Sequence, residues 1–196
     1  MIFKEGRFAL GILGLLALGV IGCTDEDLSD LTVEAAPASE VKITFHEALQ
    51  IAEASADGER AYSMERETEK GQPVIEVGIG GREIFVHAAT GEIVAIDDLA
   101  QTGDQEDQEE IAEFLELQPL VTIGILEALQ AGEAYAGDQA HTVELENEDD
   151  NLVYEVVVGR QEIYVDAGNG QVLYAEGGGA DDEEQPSSIQ VPGGDD

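Results

Sequence analysis

The sequence predicts an α+β fold made of two tandem units, each one helix packed on a small antiparallel sheet. Three observations predict it. The stretches Val74–Ala95 (VIEVGIGGREIFVHAATGEIVA) and Val153–Tyr174 (VYEVVVGRQEIYVDAGNGQVLY) align without a gap at a constant offset of 79. Self-similarity at a fixed spacing marks a repeated structural unit. Each stretch is preceded by a segment of helical period that contains EALQ, at Glu47–Gln50 and at Glu127–Gln130. Between these segments, apolar and polar residues alternate and are punctuated by Gly-rich turns, the pattern of half-buried strands.

Composition bounds the rest. The chain has 196 residues, 43% hydrophobic, with 5% aromatics and no Trp. Two units of roughly 55 residues each have thin cores and depend on close packing or on one another. Formal net charge is -36, and without the first 22 residues 43 acids face 6 bases, or -37. Such a surface repels nucleic acid and anionic headgroups and favours basic proteins or cations as partners. The blander reading, that the acids keep an exported protein soluble, stands beside it.

Residues 1–22 carry a short basic start (Lys4, Arg7) and then the apolar run Phe8–Gly22. That run is shorter than the ~20 residues a spanning helix needs, and the order of basic, apolar and small residues is that of a secretory signal. It ends in VIGC, Val20–Cys23, which resembles the bacterial lipobox. The resemblance implies a diacylglyceryl group on Cys23, the chain's one cysteine, which can form no internal disulfide. Thr24, where enteric retention signals have Asp, then points to the periplasmic face of the outer membrane. Residues 23–40 read as a disordered acidic tether.

The first unit spans residues 41–96. Thr44 caps a helix, with Glu47 placed for a capping box. Phe45, Ala48, Leu49, Ile51, Ala52 and Ala56 form most of one helical face, and Asp57-Gly58 stops it. Tyr62, Met64 and Arg66 then share one side of a strand. Ile75, Val77 and Ile79 oppose Val74, Glu76 and Gly78 on the next. Gly80-Gly81 and Thr90-Gly91 are turns, and Ile93–Ile96 closes the unit. Residues 97–120 read as an acidic linker, with a short helix at Ile111–Leu117 ended by Pro119. The apolar side of that helix is placed to dock the two units together. The second unit, 121–176, repeats the plan, its helix weakened by Gly124 and Gly132 at ~1 kcal/mol each. Glu148–Asn151 and Asn169-Gly170 are turns. Residues 177–196 read as a disordered acidic tail.

No residue set looks catalytic, and none looks like a metal site. His46, His87 and His141 have no second His at ligand spacing. No Ser sits in a nucleophile elbow. GIGGRE, Gly78–Glu83, links two strands and lacks the glycine spacing and Lys of a phosphate loop. Asp166–Gly170 lacks the alternating oxygen ligands and closing Glu of a calcium loop, so a hairpin turn is the better reading. No cofactor is expected beyond the lipid.

The helix opening in Glu127-Ala128, the strand Tyr154-Glu155-Val156 and the hairpin Val165-Asp166-Ala167 with Gly170 and Val172 resemble the PepSY domain. The first copy offers Glu47-Ala48, Ile75-Glu76-Val77 and Val86-His87-Ala88 with Gly91 and Ile93, His87 standing where the family usually has Asp. The resemblance implies two PepSY-like units in a non-enzymatic, lipid-anchored envelope protein that binds or regulates a protein partner such as a secreted peptidase. Tyr154, Tyr164, Tyr174 and Asp166 are the candidate contact residues, with filling of the core as the competing role for the tyrosines. The alternative function is an acidic calcium buffer or sensor of the envelope.

Overall fold

The computed structural model describes residues 42–177 and 185–192. The expected signal, Cys23 and the tether lie outside the described residues. In chain order the elements are α1 (Phe45–Ser55), β1 (Ala61–Glu69), β2 (Gln72–Ile79), β3 (Arg82–His87), β4 (Ile93–Asp98), α2 (Leu99–Thr102), α3 (Gln105–Leu117) and a 3-10 turn (Gln118–Leu120). After these come α4 (Ile125–Ala136), β5 (Thr142–Glu148), β6 (Asn151–Val158), β7 (Gln161–Asp166) and β8 (Val172–Glu176). Among the described residues, no helix is long and apolar enough to cross a membrane.

The two helices start differently and pack alike. Thr44 caps α1: its Oγ1 accepts from the Glu47 N–H at 3.2 Å, and Glu47 Oε2 accepts from the Thr44 N–H at 2.8 Å. Phe45, Ala48, Leu49 and Ala52 are its buried stripe, and Ile125, Ala128, Leu129 and Gly132 are that of α4. Gly124 proves to be the N-cap of α4, outside the helix, so the expected helix-interior cost does not arise there. Gly132 is required by packing: a Cβ on it would lie 2.6 Å from Val156 Cγ1.

All eight strands form one antiparallel sheet, in the order β4-β3-β2-β1-β5-β6-β7-β8. The two halves repeat each other's register. Val74 faces His87 and Val153 faces Asp166; Met64 faces Val77 and Val143 faces Val156. One irregularity also recurs, between Phe85 and Val86 in one copy and between Tyr164 and Val165 in the other, whereas the shift between Ala61 and Ser63 has no counterpart in β5.

The expectation of two separate small sheets is thereby refined. Each four-stranded unit would leave one inner edge, β1 or β5, with unpaired N–H and C=O groups. The structure pairs these edges with each other, as Ser63 to Glu144, Met64 to Val143 and Glu65 to Thr142. A shift of 79 turns this set of pairs into itself, so a local two-fold axis passes between Met64 and Val143. Both of these side chains are fully buried. Arg66 ties the seam further. Its Nη1 donates to the Ala140 carbonyl at 3.0 Å, its backbone N–H donates to the His141 carbonyl at 2.8 Å, and its guanidinium lies 4.4 Å from the Phe45 ring centroid.

Two stretches are more ordered than expected. The acidic linker is helical from Gln105 onward, because Asp104 and Asp107 exchange backbone-to-carboxylate bonds at 2.8 and 3.3 Å. Helix α3 then buries Ile111, Phe114 and Leu117, with the Phe114 ring stacked on Tyr62 at 3.9 Å. The tail, expected to be disordered, is folded back at residues 185–192. The Leu152 N–H donates to Ile189 O at 3.1 Å, the Val191 N–H donates to Asp150 O at 2.8 Å, and Ser187 Oγ donates to Leu152 O at 2.9 Å. Ile189 and Val191 also pack against the core, which offsets the ordering cost. The first unit has no such mooring to offer, since Pro73 stands at the position of Leu152 and has no N–H.

The close approach of α4 to β6 yields a test. Gly132→Ala is expected to destabilise the fold by about 1–3 kcal/mol, through overpacking against Val156. Thermal unfolding should show a clear fall in Tm, and an unchanged or higher Tm would contradict the packing described.

Candidate functional site

Strand alternation gives the sheet two unlike faces. One carries the helices and the main core, including Met64, Ile75, Val77, Ile84, Val86, Val143, Tyr154, Val156, Ile163 and Val165. The other is left free by α1 and α4, and on it glutamates recur strand after strand. β1 contributes Glu65, Glu67 and Glu69, β2 Glu76 and β3 Glu83. β5 contributes Glu144, Glu146 and Glu148, with Glu155, Glu162 and Glu176 on β6, β7 and β8. At an offset of 79, Glu65 corresponds to Glu144, Glu67 to Glu146, Glu69 to Glu148, Glu76 to Glu155 and Glu83 to Glu162.

These carboxyls crowd one another. Glu65 lies directly opposite Glu76, and Glu144 directly opposite Glu155. Like charges directly opposite on a sheet are destabilising. Burial first, and Glu83 and Glu67 next, push the Glu76 carboxyl up to about 10. Burial and then Glu155 and Glu144 push Glu146 up to about 9. Burial and then Glu162 push Glu155 up to about 7. Glu65 is raised by burial and then by Glu67. Glu76 therefore holds its proton at neutral pH and donates it to Glu67, whose own carboxyl is raised chiefly by burial.

The candidate contact residues divide between the two faces. Tyr154 lies on the helix side at 3% exposure, so it shares no surface with the other two tyrosines. Burial pushes its phenol up to about 12. Tyr164 and Tyr174 stack on each other on the helix-free side, with ring centroids 4.4 Å apart, in a small apolar cluster with Val153 and Leu173. Burial, then Glu155, raises the Tyr164 phenol above the ordinary range. All three tyrosines fill core, the competing role foreseen for them.

Asp166 is 1% exposed and holds a turn. Its oxygens accept from Gly168 N–H (2.8 Å), Asn169 Nδ2 (2.7 Å), Ser188 N–H (2.8 Å), Ser188 Oγ (2.8 Å) and Ser187 Oγ (3.2 Å). Burial acts to raise its carboxyl, but these bonds outweigh it and hold the group below its usual value. A carboxylate so occupied is neither an outward contact nor a ready cation ligand. Among the described residues, no three His, Cys, Asp or Glu side chains are grouped to hold a metal ion. The histidines are engaged locally and apart: His46 with Gln50, His87 with the Ala89 N–H, and His141 with Thr142 and Gly159.

Sequence reasoning passed over the glutamate face because carboxylate pairs occur throughout so acidic a chain. A sharper signal was present. ERETE at Glu65–Glu69 and ELENE at Glu144–Glu148 place acids at alternate positions of a strand, in both copies.

Comparisons with known proteins agree with the duplication. The family described as peptidase propeptide and YPEB domain, PepSY, matches residues 42–97 and 122–176. No curated protein matches the chain. Among solved structures, the crystal structure of a "putative lipoprotein" from Clostridium difficile 630 is similar at 18% identity and a TM-score of 0.43. The alignment covers 69% of this chain and 93% of that one.

The two kinds of carboxyl make opposite demands on pH. A raised carboxyl holds a proton in the folded state that the unfolded chain has lost. Its stabilising effect is whole below its ordinary value of 4.5 and declines as pH rises, through about 7 for Glu155, 9 for Glu146 and 10 for Glu76. Asp166, held low, stabilises above its ordinary value of 3.8 and ceases to do so as pH falls through its folded value. Tm is therefore expected to peak near ~pH 4–5 and to fall steadily to pH 9. Glu146→Gln should raise Tm at pH 8 by several degrees, on the order of 1 kcal/mol, and change it little at pH 4.5. A Tm that is flat or rising between pH 5 and 8 would contradict the crowding.

Proposed function

Since the chain belongs to the PepSY family, whose two matches cover more than half of it, we propose that it is a non-enzymatic envelope protein that binds a basic segment of a protein partner on its helix-free sheet face. The observation that carries this reading is the glutamate set repeated in both copies. The copies have diverged where structure allowed it: Arg66 against Leu145, Ile75 against Tyr154, His87 against Asp166. Yet five glutamates recur in register, although their crowding costs stability. A feature that costs stability and is duplicated intact is best explained by use.

Lys and Arg are the natural complement. A cationic side chain set among these carboxyls lowers their pKa values, so binding releases protons while it relieves the repulsion. Complementary charge also speeds encounter and makes affinity salt-dependent. The description of the family as peptidase propeptides suggests a secreted peptidase as the partner. The reading includes attachment to the envelope through a diacylglyceryl group on Cys23, on the strength of VIGC at Val20–Cys23.

The test uses residues 24–196 and a fluorescent Lys/Arg-rich peptide, with an Asp/Glu-rich peptide as control. Only the basic peptide should bind, with protons released on binding. Affinity should fall with salt and drop roughly tenfold or more when Glu65, Glu76, Glu144 and Glu155 are changed together to Gln. Equal binding of both peptides, or an affinity indifferent to the four substitutions, would remove the reading. In the full chain, Cys23→Ala should move the protein from the membrane fraction to the soluble one; continued membrane retention would remove the anchor.

A further inference from the structure

On the opposite side of the sheet, between α1 and α4, lies a cavity of about 130 Å³. Part of its wall is apolar, with Leu49 from α1, Ile125 from α4 and Leu145 from β5. An engineered protein cavity of ~150 Å³ is enough to bind benzene, so this space suits one aliphatic side chain.

Four polar side chains also line it; Gln118 Nε2 donates to the Arg60 carbonyl at 2.7 Å, and the side chains of the other three lack a protein partner among the described residues. Tyr154 is 3% exposed as a residue, and its hydroxyl, which makes no hydrogen bond to any of them, keeps some exposure of its own. Arg60 makes no ion pair among the described residues, in a chain of net charge -36. It lies near enough to Tyr154 to oppose the upward push of burial on the phenol. The Glu53 carboxylate is unengaged as well, whereas its twin Glu133 accepts from the Ala140 N–H at 3.1 Å. The repeat explains why the cavity is lopsided: the residues corresponding to Tyr154, Arg60 and Leu145 are Ile75, Gln139 and Arg66.

We propose that this cavity binds an aliphatic α-amino carboxylate, either a free amino acid or the C-terminal residue of a peptide. The side chain enters among Leu49, Ile125 and Leu145. The carboxylate accepts from the Tyr154 hydroxyl and the Arg60 guanidinium at the mouth. Glu53 takes the ammonium when the ligand is a free amino acid. The site is separate from the acidic sheet face and stands or falls without it.

Methyl NMR on residues 24–196 tests it, with L-leucine, N-acetyl-L-leucine and L-leucinamide as probes. The two carboxylates should shift the methyls of Leu49, Ile125 and Leu145, and leucinamide should bind about tenfold more weakly or not at all. Tighter binding of leucine than of N-acetyl-leucine assigns the site to free amino acids, and the reverse order assigns it to peptide C-termini. Tyr154→Phe and Arg60→Gln should each weaken N-acetyl-leucine roughly tenfold. Tyr154→Phe removes only an unpartnered hydroxyl, so its Tm should be unchanged or higher, which separates lost binding from lost fold. No methyl shift at millimolar ligand, equal binding of leucinamide, or full affinity in Tyr154→Phe would overturn the assignment.

Discussion

The pairing of β1 with β5 is the constraint on which the molecule depends. Each half is a helix on four strands with a small core, and each would present an unpaired inner edge to water. Antiparallel pairing through Met64 and Val143 closes both edges at once. It also makes one apolar surface wide enough for α1, α3 and α4 to share, and the main core runs across the seam from Phe45 to Val165. Burying these faces in one core answers the size problem that units of about 55 residues meet.

The same joining concentrates charge. Both helices lie on one side, so both sets of outward glutamates lie on the other, and the seam brings Glu65 and Glu144 onto neighbouring strands. Two isolated units would each have a modest acidic patch. Fused, they have a continuous field in which Glu76, Glu146 and Glu155 resist ionisation. Cohesion on the helix side thus supports a face that repels itself, and this sets the unusual pH preference of the fold and the sign of the partner that suits it.

Much of this architecture was readable in the residues. The gapless offset of 79 marked the duplication, EALQ marked the helices, and alternation set Ile75, Val77 and Ile79 apart from Val74, Glu76 and Gly78. The seam was not readable, because three-pair contact at strand edges leaves no periodic mark beyond the one the strands already carry. The first turns of α3, before the helix expected at Ile111–Leu117, were masked by their polar composition. The moored tail was hidden by its composition, since its hold comes from donors and acceptors far away, at Asp150, Leu152 and Asp166. The tyrosines were matched to a surface by spacing alone. Spacing could not say that Tyr154 would face the helices while Tyr164 and Tyr174 faced away: the β6–β7 register sets Tyr154 against Val165 and Tyr164 against Glu155, and the register shift between Tyr164 and Val165 then brings Tyr174 opposite Tyr164.

The seam makes one demand that two independent units would not meet: the halves must unfold together. Native-state hydrogen exchange across rising denaturant reads this directly. If β1–β5 pairing holds the molecule, the slowest amides of β2 and of β6 will converge on one opening free energy, and the seam amide of Arg66 will join them. Two separate limits, with β1–β4 opening while β5–β8 stays protected, would contradict the account.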